Sequence, residues 1–192
     1  MQGRGVAAWE PWPFCGRTLR EGRGGMTGNV QKRPIVYLDS SFVSRLAGGR
    51  TKAKHVLAQQ AASREWWGYV KDCVQPVVSY LVWAEIIRGD RECVARRKEI
   101  IRGLPWWDVS PETTALAGRL IHAKAVEKCK SQKDDALHIA TAAVGGADVL
   151  LSWNFKHIVN KQKMPLIRRV VEQAGYRCPQ LASPRQLLEE RP

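Results

Sequence analysis

The chain's strongest constraint is a series of short apolar runs, each passing straight into a helical pattern. Ile35-Val36-Tyr37-Leu38 leads at once into Asp39-Ser40-Ser41 and Phe42-Val43-Ser44-Arg45-Leu46. Pro76-Val77-Val78-Ser79 leads into Leu81 to Arg88, and Trp106 to Val109 into Ser110-Pro111-Glu112. Val149 to Ser152 is a further run of the same kind. Runs this short, rich in β-formers and without polar alternation, read as parallel strands buried on both faces. Parallel strands need crossover helices. The expected fold is therefore α/β: three α/β/α layers around a mainly parallel sheet of about four to five strands.

Helices are expected over 52–72, 91–103, Pro111 to about Lys130, 134–144 and 164–174, with a last helical turn over 184–190. Tyr176-Arg177-Cys178 is the expected fifth strand. No internal repeat and no second domain is visible, so 34–192 reads as one domain. Residues 1–33 differ from it: residues 1–25 hold six of the sixteen glycines, and no apolar periodicity runs through the segment. They read as a disordered tail, with Met26 as an alternative start.

Net charge is +13 and the pI about 9.9. The basicity lies in the folded part, because residues 1–25 contribute four arginines against two glutamates. Such a balance favours a polyanionic partner: nucleic acid, an acidic protein or a membrane surface. No apolar run is long enough to span a bilayer, and the N-terminus lacks an apolar segment of signal-peptide type. No membrane association and a cytoplasmic location are expected. The cysteines, at 15, 73, 93, 129 and 178, are odd in number and lack metal-ligand spacing. Reduced thiols are expected, and a zinc site is not.

Against this basic background three acids occupy unusual places. Asp39 ends the first apolar run, where open α/β sheets place their ligand sites. Glu85 interrupts the apolar Leu81 to Ile87. Asp135 follows Asp134 at the start of the alanine-rich Ala136 to Ala142, a helix start where acids favour the dipole; Asp134 is the expected cap. Gathered carboxylates repel one another unless a cation joins them. Asp39, Glu85 and Asp135 are thus expected to hold Mg²⁺ or Mn²⁺, which prefer oxygen ligands. The chemistry that suits such a site is phosphodiester hydrolysis.

Four motifs resemble the PIN-domain family, and within it the VapC-type toxins of type II toxin–antitoxin systems. They are Tyr37-Leu38-Asp39-Ser40-Ser41-Phe42, Trp83-Ala84-Glu85-Ile86, Asp135-Ala136-Leu137-His138-Ile139-Ala140 and Leu150-Leu151-Ser152-Trp153-Asn154-Phe155-Lys156-His157. The resemblance spans about 34–180. It implies a magnesium-dependent endoribonuclease, usually homodimeric, restrained by a cognate antitoxin protein. By matching position Asp39, Glu85 and Asp135 would be the catalytic, metal-binding acids, with Ser41 supporting Asp39. Asn154 stands where many members carry another aspartate; its carbonyl could still face a metal or its water. Arg88, Lys156 and His157 are candidate RNA contacts. The alternative is a catalytically weak PIN domain that binds RNA or protein.

Other residues have structural readings. His138 reads as a packed or hydrogen-bonded histidine. The Trp pairs 66–67 and 106–107 read as core or interface, and Arg96-Arg97-Lys98 as a solvated helix face. Asp148 reads as a turn residue.

Overall fold

A computed structural model describes residues 33–126 and 132–190. The expected tail and the Met26 start lie outside the described residues but for Arg33. Among the described residues five strands form one parallel sheet in the order β3-β2-β1-β4-β5. They are β1 (Ile35–Leu38), β2 (Gln75–Ser79), β3 (Trp106–Trp107), β4 (Val149–Leu151) and β5 (Gln180–Ala182). Strand β1 is central, and Val36, Tyr37 and Leu38 are fully buried. That burial on both faces is what an apolar run without alternation requires.

The chain first winds outward from β1 to β2 and β3, then returns past β1 to β4 and β5. Between β1 and β3 come α1 (Ser40–Ala47), α2 (Lys54–Val70), α3 (Tyr80–Ile86) and α4 (Arg91–Ile101). Between β3 and β5 come α5 (Pro111–His122), α6 (Gln132–Val144) and α7 (Met164–Gln173), and α8 (Pro184–Glu189) follows. Right-handed crossovers in opposite directions put these two sets on opposite faces of the sheet. The principal contacts of the crossover helices agree: α1 packs on α2, α3 and α4, whereas α5 packs on α6 and α7; α8, which follows β5 and is not a crossover, packs on α2 of the first set. The winding reverses between β1 and β4. Ligand sites of open α/β sheets lie at such a switch point, beyond the carboxyl ends of the strands.

Some expected boundaries move. The fifth strand lies at Gln180–Ala182 instead of 176–178, because its register is set by β4: Val149 pairs with Gln180 and Leu151 with Ala182. Tyr176 to Pro179 instead form the connection after Gly175, whose φ of 88° ends α7. Helix α5 stops at His122 rather than near Lys130, with Lys124 at a positive φ of 57° just beyond. Residues 127–131 are outside the described ones.

Phe42 anchors α1. Its ring is fully buried, edge-on to Trp66 at 5.6 Å and tilted against Trp67 at 6.2 Å. The 66–67 pair is therefore core material. Trp107 stacks on Tyr37 at 6.0 Å, while Trp106 lies at the surface beside Tyr80 and Trp83. On α4, Arg96 and Arg102 pair with Glu92 and Glu99, and Lys98 lies over the Trp83 ring. Arg97 instead closes α3 by donating to the Ile86 and Arg88 carbonyls, both at 2.9 Å. Cys93 and Cys178 are free thiols. No described helix is long and apolar enough to cross a membrane.

Candidate metal centre

Each acid of the centre is placed by a strand end or a helix turn. Asp39 follows β1 directly and is the N-cap of α1, so its position is set by both elements. Its backbone N–H donates to the Leu151 carbonyl at 3.1 Å, tying it to the end of β4. The residue is 3% exposed. Its Oδ2 accepts the Ser41 N–H at 3.2 Å, the Ser41 hydroxyl, and the Ser152 hydroxyl at 2.7 Å. The capping role, bland by itself, is thus performed by one oxygen only. Oδ1 points the other way, 3.6 Å from His138 Nε2.

Glu85 and His138 complete the group. Their closest approach is 3.4 Å, from Oε2 to Nε2. Asp39, Glu85 and His138 each offer a ligand atom, and these atoms lie within 4.8 Å of one another. His138 is held from behind as well: Nδ1 meets the Tyr37 hydroxyl at 2.8 Å, and that hydroxyl meets Ser79 Oγ at 2.6 Å. A chain of buried polar groups from β2 and β1 therefore aims Nε2 at the two carboxylates.

Asp135 is not one of those three residues. It lies one helical turn before His138 on α6, a spacing that puts both on neighbouring positions of the helix surface. Asn154 Nδ2 donates to its Oδ1 at 2.8 Å. Burial, reinforced by the charge of Asp39, pushes the Asp135 carboxyl up to about 6. That sensitivity to Asp39 and Glu85 marks it as electrostatically part of the cluster. For Glu85 burial also works against ionisation, but the hydrogen bond and charge of His138 outweigh it, and its pKa is lowered. For His138 burial disfavours the imidazolium; Tyr37, the hydrogen-bonded Glu85 and Asp39 outweigh it, and its pKa is raised.

The donor set fits a divalent cation. Several carboxylates with one imidazole suit Mn²⁺ and, through the oxygens, Mg²⁺. Among the described residues Asp39 Oδ1 has only the long His138 contact, so an oxygen is spare for a metal.

The remaining candidates divide. Asp134 is not the cap: α6 begins at Gln132, which puts Asp134 within its first turn. Asn154 does not turn its carbonyl to the pocket, since Oδ1 accepts the His157 N–H at 3.1 Å. His157 is 7% exposed, which removes its ring from an RNA-facing surface, although Phe155 and Lys156 just before it are exposed. Arg88 and Lys156 are exposed, and the charge of Arg88 helps lower the Glu85 pKa. Asp148 binds the Ile35 N–H at 2.8 Å and pairs with Arg177, a joint between strand ends. The sequence reading missed Tyr37, Ser79 and Ser152 as participants. Their only signal was a polar atom in or at the end of an otherwise apolar strand.

The fold and site define a doubly wound parallel α/β domain with an acidic cluster at its switch point. No family model matches the chain, and no curated protein does. Among solved structures it is similar to VapBC2 from Rickettsia felis bound to a DNA fragment of the promoter, at 17% identity and a TM-score of 0.48, covering 64% of this chain and 89% of that one. It is also similar to a toxin–antitoxin complex from Klebsiella pneumoniae, at 17% identity and 0.48, covering 67% and 93%. A third is VapC20 from Mycobacterium tuberculosis, a Sarcin-Ricin loop cleaving toxin, at 16% and 0.48, covering 66% and 95%.

Proposed function

We propose that the chain is a metal-dependent endoribonuclease of PIN type, the toxin of a toxin–antitoxin pair, acting in the cytoplasm as a homodimer. The observation that carries this is the meeting of Asp39, Glu85 and His138 within 4.8 Å at the switch point, with Asp135 coupled to them. The motif resemblance supports the family, and a net charge of +13 suits an RNA substrate. Asp39, Glu85, His138 and Asp135 would hold Mg²⁺ or Mn²⁺. Bound there, the cation would stabilise charge on a phosphodiester and acidify water.

The chain's own groups prepare that chemistry. Ser41 and Ser152 occupy one oxygen of Asp39, so the carboxylate cannot turn and presents the other. Tyr37 and Ser79 fix the His138 ring. Exposed Arg88 and Lys156 offer cations to the RNA backbone.

The test is cleavage of a structured RNA by the purified chain with Mg²⁺ or Mn²⁺, with EDTA, and by the Asp39→Asn and Asp135→Asn variants. Cleavage should need the metal and vanish in both variants. Equal cleavage by the variants and the parent chain refutes the proposal. The neutral Asn154 in the pocket favours the second reading, a PIN domain that binds RNA without cutting it. RNA binding without metal-dependent cleavage in the same assay would select that reading.

A further inference from the structure

The turn after β4 is pinned by hydrogen bonds and yet presents an apolar ring to solvent. The Asn154 carbonyl accepts the Ile158 N–H at 3.1 Å and the Val159 N–H at 2.8 Å, and the Asn160 side chain donates to the Lys156 carbonyl at 2.9 Å. Leu151 to Trp153 on one side and His157 to Val159 on the other are buried. Between them Phe155, 47% exposed, and Lys156 face outward. Single apolar residues at a surface are ordinary; what sets Phe155 apart is its support and its place. Trp153 backs it: the two rings meet at 5.9 Å and 67°, and the Trp153 indole N–H donates to Ser63 Oγ at 2.8 Å. Ser63 in turn donates to the Gln59 carbonyl at 2.8 Å, so the brace reaches into α2. The steep angle is an edge contact, and the exposure of Phe155 leaves a ring face open to a planar partner. Asn154, its neighbour in the chain, donates to Asp135 Oδ1 at 2.8 Å. The ring therefore stands at the rim of the metal centre.

We propose that Phe155 is a substrate-positioning residue that stacks an unpaired RNA base beside the scissile phosphate, while Lys156 meets a neighbouring phosphate. The inference rests on the proposed function and names how that same site takes hold of its substrate. Bases inside a duplex are already stacked, so only an unpaired one can lie on the ring. Stacking asks for a flat, open surface held in place, and it tolerates any base because every base has a π-face. A phenyl ring braced by Trp153 supplies such a surface. A cation one residue along suits the strand, since contacts to phosphate fix the register of a nucleic acid on a protein. The net charge of +13 favours the same polyanion over an apolar protein segment as the occupant. Phe155 carries out no chemistry. It fixes where the strand lies, and so which phosphate is presented to the acids.

The experiment titrates the full chain, in EDTA so that the strand stays intact, into an oligouridylate carrying one central 2-aminopurine, a base whose fluorescence falls when it stacks. The parent chain should quench it, and so should Phe155→Tyr, which keeps the ring. Phe155→Leu, which keeps the apolar bulk, should bind without the quench. Phe155→Ala should lose the quench and weaken the dissociation constant about 5- to 150-fold. Against the same strand paired into a duplex the four chains should not differ. A quench that survives in Phe155→Leu, or a dissociation constant unchanged in Phe155→Ala, overturns the inference; the second result is also what a ring reserved for a protein partner would give. Circular dichroism checks that each variant is folded, and should the alanine variant not be, the quench of the leucine variant decides. Where the inference falls but the parent chain still cleaves structured RNA with Mg²⁺, the proposed function stands. A parent chain that neither binds the oligouridylate nor cleaves RNA overturns both.

Discussion

Removal of divalent ions should leave a chain that gains stability as the pH falls from 7.5 to 5. Asp135 is one source, because burial and then the charge of Asp39 raise its pKa from 3.8 to about 6. The folded chain keeps this proton up to about pH 6, whereas the unfolded chain loses it near 3.8. Between those values the unfolded state binds fewer protons, so stability falls as pH rises. The contribution is complete below 3.8 and is lost as pH rises through about 6. His138 has the same sign at higher pH: its pKa is raised well above 6.5, and its contribution is lost as pH rises through the folded value. Glu85 has the opposite sign, but its pKa is lowered from 4.5, so its contribution is lost only at a pH below the window. The span from 3.8 to about 6 corresponds to roughly 3 kcal/mol at about 1.4 kcal/mol per pH unit. Asp135 is half-buried, and solvent screening reduces this to about 1.5 kcal/mol. The interval from pH 7.5 to 5 samples about half of that span, roughly 0.7 kcal/mol, or about 1.5–3 °C in Tm for a chain of this length. Thermal melts in EDTA at pH 5, 6 and 7.5 measure it, and Asp135→Asn should flatten the acidic part of the slope. Saturating Mn²⁺, at about a hundred times its Kd, should add about 2.7 kcal/mol at pH 7.5. It should add less at pH 5, where a proton must leave first. A Tm in EDTA that is level or rises from pH 5 to 7.5, or an unchanged slope in Asp135→Asn, would refute the reasoning.

Two further substitutions test how the fold supports the centre. Ser152→Ala removes a buried donor to Asp39 and the acceptor of the Asn154 N–H. It should cost about 1.5–3 kcal/mol in urea unfolding and weaken Mn²⁺ binding about 10- to 100-fold; unchanged Mn²⁺ affinity would rule out the clamp. Gly145→Ala would bring a Cβ within 2.5–2.8 Å of the Trp107 ring, which stacks on Tyr37, the partner of His138. Overpacking should cost about 1–3 kcal/mol, and Trp fluorescence should shift; a variant as stable as the parent would show that Trp107 yields freely.

Strand β1 and the acid after it were readable because every residue of Ile35 to Leu38 is apolar and a burial pattern of that kind is local. Strand β5 was not, because Tyr176 to Cys178 carry as much β-propensity as Gln180 to Ala182. Pairing to Val149 and Leu151, a long-range contact, chose between them. Asp134 and Asp135 are alike in sequence, and either could cap a helix; only the start of α6 at Gln132 took that role from Asp134. His138 read as a packed histidine, which its 1% exposure agrees with, yet its Nε2 also faces the acids. Sequence spacing cannot distinguish a ring that is merely packed from one that is packed and aimed.

By itself, then, the sequence determined the α/β class and the strand ends at which chemistry could gather. Those follow from residue types and periods of a few residues, the range over which burial and backbone preference act. The tertiary structure alone decided the strand order, and with it the switch point between β1 and β4. It also decided that Asp39 and Glu85, forty-six residues apart in the chain, meet around His138. The orientation of Asn154 depends on a backbone N–H three residues away and a carboxylate nineteen residues before it. No local preference encodes that pairing. It exists because the β4 turn and the first turn of α6 are packed at the same edge of the sheet, where each polar atom takes the partner that geometry leaves it.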